Sequence, residues 1–408
     1  MKGENMRRSV LWMVIAIFAG WGLGVAGSAK AQPLKIYILA GQSNMQGHAN
    51  ISTIPSMASD PKTVSILKEM LNAEGKPKVC KHVWIASIGC GGNQSTEMIK
   101  RTGRLTVGFG ASRQNFGPEF TFGIYTEKLL GGPILIIKTS WGGKSLVTDF
   151  RPPSAGPYVW TPYALAQLRQ RRENIAKIKA EKIKATGFYY RAMMGYVRKV
   201  LANIKQVDPQ YNPKQGYQHA GFAWFQGWND LDNPAYPADG DRPGAYKLYT
   251  KLMADLIDDV RKELSAPYLP VVIGVIGVDG NRESPTQRYL RQGQTATALL
   301  PQFRGNVVAV QTAPFWNYHL EVLFNRYQSY WPKVNAEAKA EHNTSWSNKI
   351  RLMNSMFTPK ELKELKAMSA FGFHYLGAAI IMAPIGKAFA EAIVKLDKNT
   401  KLPVIIRR

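Results

Sequence analysis

Residues 36–47 read Ile-Tyr-Ile-Leu-Ala-Gly-Gln-Ser-Asn-Met-Gln-Gly. The apolar run Ile36–Ala40 enters a turn of small residues at Gly41. An unbroken apolar run of this length is the pattern of a strand buried on both faces, and so of a parallel sheet. Ser43 falls just past the carboxyl end of that strand. Ligands of open α/β sheets bind at that end. A serine there can present its hydroxyl and its own backbone N–H to one substrate atom. A serine that only caps the following helix has the same local sequence, so its role depends on what else the chain brings to the strand ends.

Three later segments bear on this. Residues 134–145, Ile-Leu-Ile-Ile-Lys-Thr-Ser-Trp-Gly-Gly-Lys-Ser, form a second apolar run leading into Gly142 and Gly143. Residues 223–230, Ala-Trp-Phe-Gln-Gly-Trp-Asn-Asp, end a third. Residues 371–377, Phe-Gly-Phe-His-Tyr-Leu-Gly, precede a final helical stretch. Serine, glycine, asparagine and histidine thus follow one another in that order. Together with Gly117-Pro-Glu119, Trp141-Gly-Gly143 and Trp224-Phe-Gln-Gly227, the string Gly41-Gln-Ser-Asn-Met-Gln-Gly47 resembles the SGNH hydrolase superfamily, in its sialate O-acetylesterase and acetyl-xylan-esterase branch. The resemblance covers roughly residues 34–150 and 217–395. It implies a serine ester hydrolase that removes O-acetyl groups from a polysaccharide or a sialic-acid-type sugar. Pattern and resemblance together predict a flavodoxin-like three-layer α/β/α sandwich around a central parallel sheet. No cofactor is called for, and no Cys/His spacing resembles a zinc site.

The resemblance also assigns roles. Ser43 is the expected nucleophile and His374 the base that takes its proton and returns it to the leaving alcohol. The oxyanion donors are the N–H of Ser43, a backbone N–H of Gly142 or Gly143, and the side-chain amide of Asn229. Gln226 and Glu119 lie in family-like strings and are read as supports, with packing of the strand ends an equal alternative. One departure stands out. The family's histidine motif is Asp-x-x-His, and the position three before His374 is Phe371. Phenylalanine cannot accept the imidazole Nδ1–H. Either a Ser–His dyad operates with a backbone carbonyl or water as acceptor, or an acid comes from elsewhere, with Asp279, Asp230 and Asp149 as candidates. His48, His82, His219, His319 and His342 stand in no comparable context.

Residues 1–31 read as a secretory leader: Lys2, Arg7 and Arg8, the apolar run Val10–Ala26, and Ala29-Lys-Ala31 as a cleavage pattern. An uncleaved anchor is the alternative. The expected location is secreted or periplasmic, with no integral membrane segment after cleavage. The 408 residues, 45% of them hydrophobic, suffice for a large globular core. The expectation is one esterase domain over residues 32–408. Cys80 and Cys90, the two cysteines, could form one disulfide or stay as separate buried thiols. The net charge is +25, and loss of the leader's four cations and one acid leaves +22. Such a field favours acidic partners, an acidic polysaccharide among them, or serves solubility alone. No nucleic-acid recognition motif interleaves the basic residues.

Strands are expected at 35–40, 83–87, 134–139, 221–225, 271–278 and 307–311, with helices at 121–130, 246–264 and 376–396 between or after them. Two inserts are expected, at about 151–215 and 316–366. Residues 163–205 of the first carry eleven Lys or Arg against two acids, with an apolar stripe Leu165, Leu168, Ile175, Ile178, Ile183 that predicts a long basic amphipathic helix. The second is rich in Trp and Tyr and must lie between the last strand and His374, where aromatics can form sugar-stacking platforms or a core. The leading function is a carbohydrate esterase. The competing ones are a catalytically weak carbohydrate-binding protein on an esterase scaffold, supported by the missing aspartate, and a lipase or thioesterase of the same superfamily.

Overall fold

The computed structural model describes residues 32–91, 98–237, 242–400 and 402–406. The expected leader and its cleavage point after Ala31 lie outside these residues. Residues 32–408 form one unit. Among the described residues its main sheet has seven strands: β1 (Leu34–Gly41), β2 (Val83–Cys90), β3 (Met98–Arg104), β4 (Ile134–Ser140), β5 (Tyr217–Phe225), β6 (Val271–Val275) and β7 (Val307–Gln311). Their order is β3-β2-β4-β1-β5-β6-β7. All neighbours run parallel except the edge pair β2–β3.

The apolar runs explain this. Every residue of β4 is buried, as are all but one of β1, so neither face meets water. Helices cover both sides. Phe188–Ala202 and Lys247–Glu263 close one face, and Pro118–Leu130 and Ala379–Lys398 the other. The result is the expected three-layer α/β fold. The chain builds β2 to β4 on one side of β1 and then crosses to β5 on the other. The topological switch therefore falls at the carboxyl end of β1, where Ser43 stands.

Several expectations are corrected. The edge strand β3 carries Lys100, Arg101 and Arg104 and has no apolar signal; it pairs through its backbone. Strand β6 ends at Val275, short of Val278. The closing helix starts at Ala379, not Leu376, because Tyr375 and Leu376 are left-handed, with φ of 53° and 57°. The long basic helix is two helices, Pro162–Gln170 and Ile175–Ala185. Arg172 is left-handed (φ 54°), and Asn174 caps the second helix by accepting from the Lys177 N–H. The stripe is only half-buried, and Ile183 is exposed. Cys80 and Cys90 are both free buried thiols packed into the cores on opposite faces of the sheet. The second insert folds into four helices between Tyr318 and Leu365 with a small core of its own, in which Tyr327, Tyr330 and Trp331 pack around Leu323, Val334 and Phe357. No helix among the described residues is long and apolar enough to cross a membrane.

One charge lies inside the sheet. Lys138, at the end of β4, is buried and bonds the buried Glu119 carboxylate at 2.6 Å. Its other two protons go to the carbonyls of Gln46 and Phe109 at 2.8 and 3.0 Å. Glu119 also accepts the Gly117 N–H. The pair therefore locks the segment after Ser43, and the start of helix Pro118–Leu130, to the sheet. Lys138→Met strands Glu119 as a buried unpaired charge, which costs about 3–5 kcal/mol. Denaturant titration should read that loss, and Glu119→Gln on the same background should recover part of it. A loss under about 1 kcal/mol would refute the assignment.

Candidate active site

Ser43 begins a four-residue helix, Ser43–Gln46, at the end of β1. The turn is tight because β1 meets β5 closely: a Cβ on Gly41 would lie 2.1 Å from the Phe225 carbonyl oxygen. As the first residue of a helix, Ser43 has an N–H without an intrahelical partner. Asn229 reaches the same place from the turn after β5. Gln42 joins the two. Its Nε2 donates to Asn229 Oδ1 at 2.6 Å and lies 3.4 Å from Ser43 Oγ. Its Oε1 accepts from Gln226 Nε2 and from the N–H groups of Gly227 and Asn229. With Oδ1 engaged, Asn229 has its Nδ2 left to donate.

Asp230 ties in the third loop. It is fully buried and accepts four hydrogen bonds, from the N–H groups of Leu146 and Val147, from Gln226 Nε2 and from the Tyr236 hydroxyl. Burial pushes its carboxyl up to about 6 against the pull of those donors. Asp230 thus holds the loop after β4, which carries Gly142 and Gly143, to the turn after β5. Gly142 stands beside the serine: a Cβ there would lie 3.8 Å from Ser43 Cβ. Its N–H is directed to Cys90 Sγ at 3.3 Å. Gly143 is left-handed (φ 74°), with open space where a Cβ would go.

His374 sits on the turn Gly372–Gly377, which packs against the Ser43 helix. Two left-handed residues follow it, a strain of about 1–3 kcal/mol each. The turn is held by the buried Tyr375 hydroxyl, which accepts the Gly277 N–H and bonds the Thr312 hydroxyl, both at 2.7 Å. Among the described residues no hydrogen bond joins the His374 ring to Ser43 or Asn229, and its side-chain contacts are with other rings. Its ring stacks on His48, with centroids 3.8 Å apart and planes within 5°. The edge of Phe373 touches it at 4.5 Å, and Phe373 in turn stacks on Trp228 beside Asn229.

The three candidate acids are occupied elsewhere. Asp230 holds the loops just described, Asp149 accepts from the Ser145 N–H and hydroxyl, and Asp279 accepts from Gln287 Nε2. Glu119 is paired with Lys138 and lies within the support. Phe371, where the family motif has aspartate, is 53% exposed and is not a core residue. Burial first, and then the neighbouring His48, push the His374 imidazole down to about 3. Burial and the charge of Lys138 push His48 down to about 4.

Sequence reasoning missed Gln42, His48 and Lys138. Gln42 and His48 flank the serine string, which was a signal. Lys138 was visible as a lone cation closing an apolar strand. The stacking of His48 on His374 had no local signal, since 326 positions separate them.

The fold is a three-layer α/β sandwich whose loops cluster at the carboxyl end of its sheet. Residues 33–314 match the family described as carbohydrate esterase, sialic acid-specific acetylesterase, and the chain belongs to that family. The match ends before His374. No curated protein matches the chain. Among solved structures it is similar to a protein of Arabidopsis thaliana, at 16% identity over 69% of this chain and 86% of that one, with a TM-score of 0.36. It is similar to a carbohydrate acetylesterase of Xanthomonas citri, at 14% identity over 69% and 51%, with a TM-score of 0.39. A third is a carbohydrate esterase family 2 enzyme with a carbohydrate-binding domain from Corynascus thermopiles (Myceliophthora fergusii), at 13% identity over 70% and 58%, with a TM-score of 0.29. The chain spans little more than half the length of the last two.

Both histidines take up a proton more readily in the unfolded chain, near the ordinary value of about 6.5. Their folded-state depression contributes stability that is present above that value and lost as pH falls toward about 4 and 3. Stability should therefore decline below about pH 6.5, measured by thermal melts across pH. A flat profile from pH 7 to 4.5 would contradict the buried neutral pair.

Proposed function

We propose that this protein removes O-acetyl groups from a carbohydrate, with Ser43 as nucleophile and His374 as base. The observation that carries the reading is the chain Ser43–Gln42–Asn229, which gathers a hydroxyl and two amides where β1 and β5 end. Ser43 Oγ attacks the acetyl carbonyl as His374 takes its proton. The carbonyl oxygen, now an anion, receives the Ser43 N–H, the Gly143 N–H and Asn229 Nδ2. Gly143 is preferred to Gly142, whose N–H serves Cys90. Collapse breaks the ester bond. The sugar oxygen leaves with the proton from His374, and the acetyl group stays on Ser43 Oγ as an ester. Water then attacks the acetyl group, with His374 again as base, and frees acetate.

Among the described residues no carboxylate is hydrogen-bonded to the His374 ring. His48 stacks on the ring instead and fixes its plane. The leader-like first 31 residues support an exported enzyme, and the +22 charge of the remainder suits an anionic polymer. The competing reading, a binding protein with little catalysis, draws on the lack of a carboxylate beside His374.

Hydrolysis of p-nitrophenyl acetate separates the two. Ser43→Ala should cost at least about 1000-fold in kcat/KM, and Asn229→Ala about 100- to 1000-fold. No turnover above that of Ser43→Ala would favour the binding protein. The pH profile is a second check. With His374 pushed down to about 3, the acid limb of kcat/KM should lie below pH 5. A limb centred between 6 and 7 would exclude this buried imidazole as the base. His48→Phe, which keeps a stacked ring, should retain more kcat than His48→Ala. Equal losses would remove stacking as the orienting device.

A further inference from the structure

A row of aromatic rings leads away from the candidate site. Trp228, next to Asn229, stacks on Phe373 with centroids 6.1 Å apart and planes at 27°. Phe373 stacks on Phe371 at 5.4 Å and 11°. Phe371 meets the edge of Phe324, on the first helix of the second insert, at 6.2 Å. Two rings of this row are open to solvent, Phe371 at 53% and Phe373 at 37%. Beyond Phe371 lies a cavity of about 580 Å³ between the insert helices and the segment leading to His374. That is within the size range of small-molecule sites.

We propose that Phe373 and Phe371 form a platform for the sugar ring next to the acetylated one, and that the cavity beyond Phe371 takes the continuing glycan chain. The proposal rests on the deacetylase reading and narrows its substrate to oligomers or polymers. Three features favour a sugar. Near-parallel exposed rings offer a flat apolar surface that suits the C–H face of a pyranose, and such exposure costs the free protein apolar hydration unless a ligand covers it. The cavity wall is mainly apolar, with Phe324, Leu362 and Leu365, and among these stand Gln328, Asn354 and Lys366, which supply amide and ammonium partners for sugar hydroxyls. An acyl chain would meet these polar groups without satisfying them. Third, the row begins at the residue that touches His374, so a ring on Phe373 is one step from the ester. The family's aspartate position is thereby used for binding: Phe371 faces solvent.

The test uses ester-free probes on the Ser43→Ala protein, so that binding is read without catalysis. Calorimetric titration with xylotetraose, cellotetraose and tetragalacturonate should show saturable binding of at least one. Phe371→Ala with Phe373→Ala should weaken it about tenfold, and Phe371→Tyr with Phe373→Tyr should hold it within about threefold. Melting temperatures check that each variant folds. Binding by none of the three, or undiminished binding by the alanine pair, overturns the platform. So does a fall in p-nitrophenyl octanoate hydrolysis relative to acetate in Phe371→Ala with tetrasaccharide affinity intact, since the row would then serve the acyl group. Loss of tetrasaccharide binding in the alanine pair, with no acetate hydrolysis by the unmodified protein, would keep the subsite and overturn the deacetylase reading instead.

Discussion

The loops after β1, β4 and β5 come together through the buried carboxylate of Asp230. It accepts four hydrogen bonds from two loops and a tyrosine, with no cation beside it in that set. Burying an ionised group costs several kcal/mol unless donors replace its water. Four donors do so only if the loop after β4 and the turn after β5 come together. The cost of the charge thereby enforces the geometry. Gln226 and Gln42 extend the network to β1, so three loops are fixed by one chain of amides. Each amide has a donor and an acceptor end, and engaging one end at each step determines which end the next residue presents.

A buried charge pair, Lys138 with Glu119, works beneath this network. It consumes the carbonyls of Gln46 and Phe109 and leaves the Ser43 helix no freedom to slide along the sheet. The serine is thus held from both sides. His374 is held differently. It hangs from a strained turn, anchored by the Tyr375 hydroxyl and clasped between His48 and Phe373. Packing replaces the charge that a carboxylate would have brought, and a buried imidazole without a counter-ion stays neutral well into acid.

The two inserts divide their labour by chemistry. Residues 163–205 of the first supply eleven of the cations, and its apolar stripe is only half-buried. The second spends its aromatics on a core of its own, with Trp346 stacked on Trp331 at its surface. The rings nearest the site are on the turn of His374 and beside Asn229.

The sequence by itself determined the sheet and the strand ends. Apolar runs such as Ile134–Ile137 admit only a strand covered on both faces, and small residues after them mark the turns. The string around Ser43 and the order of the later strings carried the family. What the sequence left open was decided by contacts between distant residues. Whether Asp230 orients a histidine or holds loops depends on which donors reach it, and those come from 83 and 84 positions away. Whether Cys80 and Cys90 pair depends on which face of the sheet each one enters. Whether His374 needs a carboxylate depends on His48, far off in the chain but face to face in the fold. Local patterns record burial and backbone turn because both act between near neighbours. The partners of a polar side chain are chosen by the packing of whole elements, so only the tertiary structure names them.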